Sequence, residues 1–73
     1  MAQGMVEVFK TNVQEQDLAT HLTHQLLLYF PHCKINFDLQ DCDNVLRVEG
    51  HPIRLEKIIE IITTHGFECE VLE

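Results

Sequence analysis

Residues 33–39 read Cys33-Lys34-Ile35-Asn36-Phe37-Asp38-Leu39 and alternate between apolar and polar side chains. This period of two predicts a strand whose apolar side faces a core. Turn-forming residues fill positions 40–44, and residues 45–49 then return as a second strand with Leu46 and Val48 inward. The centre of the chain is therefore predicted to be an antiparallel hairpin.

A helical pattern precedes the hairpin. Apolar residues recur at helical spacing and form one predicted stripe, made of Leu18, Leu22, Leu26 and Tyr29. Asn12 and Glu15 have the spacing of a capping box, and Pro31 ends the helix after about Phe30.

A second helical pattern follows the hairpin. Pro52 suits a first helical position and Gly66 suits the residue after the last one. The predicted buried stripe between them consists of Leu55, Ile58, Ile59 and Ile62.

The ends of the chain supply two further strands. Residues 5–10 alternate with Val6 and Val8 inward, and Phe67, Cys69 and Val71 alternate at the other end. The predicted order is βαββαβ in a single domain, residues 1–73: an α+β, ferredoxin-like sandwich with strand order 4-1-3-2 and both helices on one face. The bare face is predicted to show Glu7, Phe9, Asn36, Asp38, Val45, Arg47, Glu68 and Glu70.

Composition narrows the function classes. Twelve acidic residues against five basic ones give a formal charge of −7, which disfavours nucleic acid and anionic membranes as partners. Residues 1–5 have no basic or apolar run, so we expect no signal peptide. Three cysteines form no regular framework and indicate reduced thiols in the cytoplasm. The chain has no serine, which excludes a Ser-His-Asp triad, and we expect no enzymatic activity.

The chain resembles the heavy-metal-associated domain, the module of copper chaperones and metal-pumping ATPases. The resemblance covers nearly the whole length and is carried by residues 9–13, 29–31, 35–39, 45–50, 58–59 and 65–67. It implies the same βαββαβ fold. It also implies a metal site in the loop after the first strand, where the family has a Cys-x-x-Cys pair.

That cysteine pair is missing from this chain. Alignment on residues 11–13 places Glu15 and Leu18 at the two positions, and counting back from Pro31 places Gln16 and Ala19 there. Soft metal ions select sulfur ligands, so the copper-carrying activity of the family does not carry over to this sequence.

Other residues at the same end are candidate ligands. The predicted topology brings Glu15, Cys42 and His65 to one surface, together with the turn residues Asp41 and Asp43. A thiolate, an imidazole and carboxylates suit zinc, and copper is the alternative. A second grouping, His32, Cys33 and His51, lies at the opposite end and is more simply read as one buried cysteine with two surface histidines.

Two functions remain as expectations. The first is a protein-interaction or regulatory module that keeps the scaffold without the metal. It would dock an unidentified protein partner on a helix face, on an edge strand (33–39 or 67–72) or on the bare sheet. The second is a heavy-metal binding or transport protein that takes a divalent ion or copper and uses Cys42, His65 and Glu15. A second copy of the chain is a further expected partner, because Leu27, Leu28 and Ile61 are predicted on outer helix surfaces.

Overall fold

The computed structural model describes residues 5–72. The elements are β1 Met5–Thr11, α1 Gln16–Tyr29, β2 Lys34–Asp38, β3 Val45–Gly50, α2 Leu55–Thr64 and β4 Cys69–Val71. All strand pairs are antiparallel in the order β2-β3-β1-β4, so the predicted ferredoxin-like α+β fold is confirmed. Residues 1–4 and 73 lie outside this description, as does most of the segment on which we expect no signal peptide.

The core lies between the two helices and one face of the sheet. Its largest fully buried side chains come from strands, helices and the loop after β1: Phe9, Leu46, Val48, Leu22, Leu26, Ile58, Ile62 and Val13. These residues form one cluster, so both helices cover the sheet face that carries Leu46 and Val48, as predicted. Every buried side-chain nitrogen and oxygen atom within residues 5–72 has a hydrogen-bond partner. In this part of the chain, the core therefore offers a ligand no unpartnered side-chain nitrogen or oxygen atom.

The alternation in β1 is the reverse of the predicted one. Phe9 is fully buried, whereas Val6 is 51% exposed. Apolar residues occupy both faces of β1, and the pairing of Phe9 with Leu46 selects the face that buries the larger side chain. Thr11 follows on the same buried face and donates its hydroxyl to the Asn44 carbonyl at 2.6 Å.

The sheet face opposite the helices, which we term the free face, mixes charged and apolar side chains. Strand register places these residues on it: Val6, Val8, Lys10, Lys34, Asn36, Asp38, Val45, Arg47, Glu49 and Glu70. The predictions for Asn36, Asp38, Arg47 and Glu70 are confirmed, and Val45 lies there but is only 8% exposed. Glu7 lies on the helix-covered face because it pairs with Val48, and Glu68 precedes β4.

The helices bury slightly different residues from those predicted. In α1 the buried set is Ala19, Leu22 and Leu26, while Leu18 and Tyr29 are 37% and 54% exposed. Ala19 lies three residues before Leu22 and so shares the buried side of the helix. In α2 the prediction that Ile61 faces outward is wrong, because Ile61 is 6% exposed and belongs to the core.

The predicted helix starts are wrong and the predicted stop of α2 is confirmed. Glu15 precedes α1 without a side-chain cap, so Asn12 and Glu15 form no capping box. Arg54 precedes α2, which leaves Pro52 outside the first turn. Gly66 follows the end of α2 with a φ of +92°, and the amide of Phe67 reaches back to the Ile62 carbonyl at 3.3 Å in a Schellman arrangement. Neither α1 nor α2 is long and apolar enough to cross a bilayer.

Candidate functional site

Three loops meet at one end of the sheet, as the topology predicts. They are residues 12–15, 39–44 and 65–68. The amide of Thr11 donates to the Asp43 carbonyl at 3.1 Å, which joins the first loop to the hairpin turn. The amide of Glu68 donates to Oδ1 of Asn12 at 2.8 Å, which joins the first loop to the third. Asn12 thus acts as a bridge between loops instead of a helix cap.

The hairpin turn holds the one group of metal-ligating atoms that residues 5–72 bring together. The carboxylates of Asp41 and Asp43 and the thiol of Cys42 lie within 4.8 Å of one another. Both carboxylates also serve the turn itself. Oδ1 of Asp41 accepts from the Asp43 amide at 2.8 Å, and Nζ of Lys10 lies 3.9 Å from Oδ1 of Asp43.

The other two predicted ligands are not members of this group. Glu15 is exposed, and its backbone carbonyl accepts from Ala19 in the first turn of α1. The centroids of the His65 and His21 rings lie 5.5 Å apart, and the rings meet edge to face. Nδ1 of His65 lies 2.8 Å from the Ile61 carbonyl, so the Nδ1–H tautomer donates there. Within the described chain, Glu15, Cys42 and His65 therefore do not gather as one ligand set.

The contact between His21 and His65 is not visible in the sequence. The helical pattern indicates only that His21 lies off the predicted apolar stripe of α1, and the structure has it exposed. The pattern does not show that the side carrying His21 reaches the C-terminal end of α2, because that depends on how the two helices pack. The second predicted grouping is likewise separated by burial: Cys33 is buried, while His32 and His51 are exposed.

The three free cysteines differ in chemical availability. Burial raises the pKa of the Cys33 thiol. Burial and then the negative charge of Glu70 raise the pKa of Cys69 to about 12. Cys42 alone among the three is exposed. It is therefore the thiol that a metal ion or reagent reaches most readily in the folded chain, since Cys33 is buried and Cys69 is half-buried.

Two surface depressions are too small for typical ligand binding. One, of about 240 Å³, lies beside β1 and β4, and the other, of about 140 Å³, lies between the helices. Ligand pockets usually occupy about 300–1,000 Å³. In the interhelical depression, Nζ of Lys57 lies 4.4 Å from the centre of the Tyr29 ring, so a cation–π contact already occupies the aromatic surface.

The β2 edge offers a different kind of site. All five residues of β2 pair with β3 on one side, and β2 is an edge of the sheet on the other. Alternate residues of an antiparallel strand direct their amide and carbonyl groups away from the paired neighbour. Ile35 and Phe37 are half-buried on the helix-covered face, while Lys34, Asn36 and Asp38 are exposed on the free face. The opposite edge, β4, has only three residues.

Compared with known proteins, the chain matches no protein-family model, no curated protein and no solved structure.

Proposed function

We propose that this chain is a non-catalytic protein-interaction domain that binds its partner by strand addition at β2. The observation that carries the proposal is the exposed edge of β2, which combines outward backbone donors and acceptors with half-buried apolar side chains. Main-chain hydrogen bonds supply affinity in this mode of recognition, and alternate side chains supply specificity.

The chemistry of the side chains supports a non-catalytic function. A cysteine nucleophile needs a base close to an accessible thiol. The accessible thiol, Cys42, is grouped with the carboxylates of Asp41 and Asp43, and the imidazole of His65 is turned toward α1. Within residues 5–72 no buried side-chain nitrogen or oxygen atom is left without a hydrogen-bond partner, so the core offers none that is free to meet a substrate.

We propose further that the scaffold is of the heavy-metal-associated type without its thiolate pair. The loop at residues 12–15 contains no sulfur, which supports docking over copper transfer. The formal charge of −7 supports a protein partner over nucleic acid or an anionic membrane. Three unpaired thiols support a reducing, cytoplasmic setting.

Site-specific photo-crosslinking tests this proposal. A photoreactive amino acid replaces the exposed Asn36 at the centre of β2, and a control chain carries it at the exposed Glu70 in β4. We expect a discrete adduct from position 36 and not from position 70. The crosslinked protein is then purified and must shift the β2 amide resonances in a nitrogen–proton NMR spectrum. Equal adducts at both positions, or none at position 36, would contradict strand addition at β2.

A second candidate function is metal binding at the hairpin turn. It is favoured by the ligand atoms of Asp41, Cys42 and Asp43, which lie within 4.8 Å of one another around an exposed thiol. A thiolate with two carboxylates is a reasonable ligand set for zinc. The metal titration in the Discussion tests it.

A further inference from the structure

We propose that β2 pairs with β2 of a second copy of this chain, in antiparallel register about a two-fold axis at Asn36. The inference rests on the proposed function, because it names the partner that adds a strand to β2. It is carried by the sequence of β2, Lys34-Ile35-Asn36-Phe37-Asp38, which is self-complementary when two copies run antiparallel.

The charges at the two ends of β2 are complementary in this register. With the axis at Asn36, Lys34 of each copy lies opposite Asp38 of the other. Both side chains are exposed and lie on the free face. Within one chain Lys34 lies across from Glu49 of β3 and Asp38 across from Val45, and neither forms an ion pair within residues 5–72. Opposite charges directly across an antiparallel pair stabilise it.

The apolar side chains of β2 are complementary in the same register. Ile35 lies opposite Phe37 of the second copy, and the reverse pair forms on the other side of the axis. Within one chain, Ile35 pairs with Val48 and Phe37 with Leu46, both of which are fully buried. The dimer therefore extends two apolar rows of the core across the axis and covers the remaining exposed surface of Ile35 and Phe37.

Other registers of the same strand are disfavoured. An axis at Lys34 or at Asp38 places that charged residue opposite the same residue of the second copy. An axis at Ile35 or at Phe37 no longer places Lys34 of one copy opposite Asp38 of the other. A slip of one residue sets the helix-covered face of one sheet beside the free face of the other. Charge and side-chain alternation together select the axis at Asn36.

The opposite edge of the sheet does not compete for self-pairing. A two-fold axis at the centre of β4 would place Glu70 opposite its own copy, and like charges directly across a pair are destabilising. Contact between copies through β2 alone closes after two chains, so the assembly is a dimer and not a fibre.

We expect the dimer to be weak and dynamic. Five paired residues span only about 17 Å of strand, and small interfaces of this kind are typical of transient complexes. Each copy also carries a formal charge of −7, although three of the five basic residues, Lys10, Lys34 and Arg47, lie on the free face. Salt screens the longer-range repulsion beyond about 8–10 Å.

Charge exchange followed by sedimentation velocity tests the proposal. We expect the unmodified chain to show a concentration-dependent monomer–dimer equilibrium, and Asp38→Lys and Lys34→Asp each to weaken it at least tenfold. An equimolar mixture of the two variants restores dimer, because each Lys–Asp contact then forms between unlike chains. Glu70→Lys raises the formal charge by the same two units as Asp38→Lys but lies on the other edge, and it leaves the equilibrium unweakened.

Two measurements keep a folding defect apart from a lost contact. Asp38 accepts a 3.2 Å hydrogen bond from the Gln40 amide, so the urea unfolding midpoint of Asp38→Lys is measured to show whether the variant is destabilised.

Disulfide formation gives a positive test of the contact. Asn36→Cys in a Cys42→Ser background should oxidise rapidly to a covalent dimer. Residues directly opposite in an antiparallel pair have Cα atoms about 4.5–5.5 Å apart, which a disulfide can span. Glu70→Cys in the same background should not.

The outcomes separate this inference from the proposed function. A monomeric unmodified chain at high concentration overturns the second-copy inference, and so does a dimer that ignores both charge reversals. If position 36 nevertheless photo-crosslinks a different protein, strand addition at β2 stands and only the identity of the partner is wrong. If position 36 yields neither self-adduct nor foreign adduct, both proposals fail.

Discussion

Gly50, the last residue of β3, lies so close to Cys33 that a β-carbon at position 50 would stand 2.8 Å from the Cys33 sulfur. Gly50 also has a φ of +149°, a backbone conformation that side chains disfavour. The buried Cys33 and the missing side chain at position 50 thus allow the start of β2 to pack against the end of β3. This contact fixes one end of the hairpin that presents the β2 edge.

Replacing Gly50 with alanine should destabilise the fold. We expect Gly50→Ala to lower the free energy of unfolding by about 2 kcal/mol or more, from overpacking against Cys33 and from backbone strain. Gly66→Ala is the matched control, since its φ is also positive but no atom lies within 4 Å of the added carbon. The free energy of unfolding of Gly66→Ala should fall by only about 1 kcal/mol. Urea unfolding measures both, and an equal loss in the two variants would contradict the steric part of the argument.

A double-mutant cycle isolates the contact itself. Cys33→Ala removes the sulfur that the new methyl group meets at 2.8 Å. The combined Gly50→Ala and Cys33→Ala variant should therefore be less destabilised than the two single losses predict, with a coupling of about 0.5 kcal/mol or more. Strict additivity would mean that backbone strain alone explains the effect at position 50.

Asn12 gives a second prediction, because its side chain joins two loops. Asn12→Ala removes the acceptor of the Glu68 amide and should lower the free energy of unfolding by about 1 kcal/mol. Asn12→Asp keeps an acceptor oxygen and should lose less. Amide hydrogen exchange at Glu68 is the direct readout, and it should accelerate in the alanine variant only. Unchanged exchange at Glu68 would show that this bond does not hold the third loop.

The strands with one consistent alternation could be read from the sequence, and the ambiguous strand could not. Residues 33–39 alternate without exception, and their hairpin forms as predicted. In β1, apolar residues at both parities leave the face undecided until pairing with β3 places Phe9 opposite Leu46. The face of β1 is therefore a property of the sheet and not of the strand.

Contacts between residues far apart in the chain also could not be predicted from local sequence patterns. Asn12 and Glu15 have the spacing of a capping box. The side chain of Asn12 instead accepts a hydrogen bond from the Glu68 amide, 56 residues along the chain, and α1 has no side-chain cap. His21 and His65 meet because the end of α2 packs beside α1. The ligand set predicted from the sequence differs from the observed group because it too depends on packing between elements. The sequence could place three loops at one end of the sheet, but it could not show that the His65 ring packs against His21.

Thiol chemistry gives a third prediction. At neutral pH an aromatic disulfide reagent should modify Cys42 rapidly and Cys33 and Cys69 much more slowly, because burial raises both of their pKa values. Mass spectrometry of the partly modified chain assigns the fast site. Fast modification of Cys69 would contradict its protection beside β1.

The raised pKa of Cys69 also predicts alkaline destabilisation. Its thiol has a pKa of about 12 in the folded chain against an ordinary value of 9.0, so the unfolded chain loses this proton first. The contribution is fully present below pH 9 and declines as the pH rises toward 12. Urea midpoints measured across this range should fall less steeply in Cys69→Ala than in the unmodified chain. Parallel slopes would mean that Cys69 does not titrate differently on unfolding.

Zinc titration decides between the two functions. A calorimetric titration of the reduced chain should show at most weak binding, because Asp41 and Asp43 are already engaged in the turn and Cys42 is exposed to water. Cys42→Ser should abolish whatever binding exists, because it removes the sulfur ligand from the group. His65→Ala should have no effect, since its ring contacts His21 and its Nδ1 is held by Ile61. A loss of zinc affinity in both His65→Ala and Glu15→Gln would instead show that the three loops rearrange around the metal. The chain would then be a metal binder that uses the ligand set predicted from the sequence.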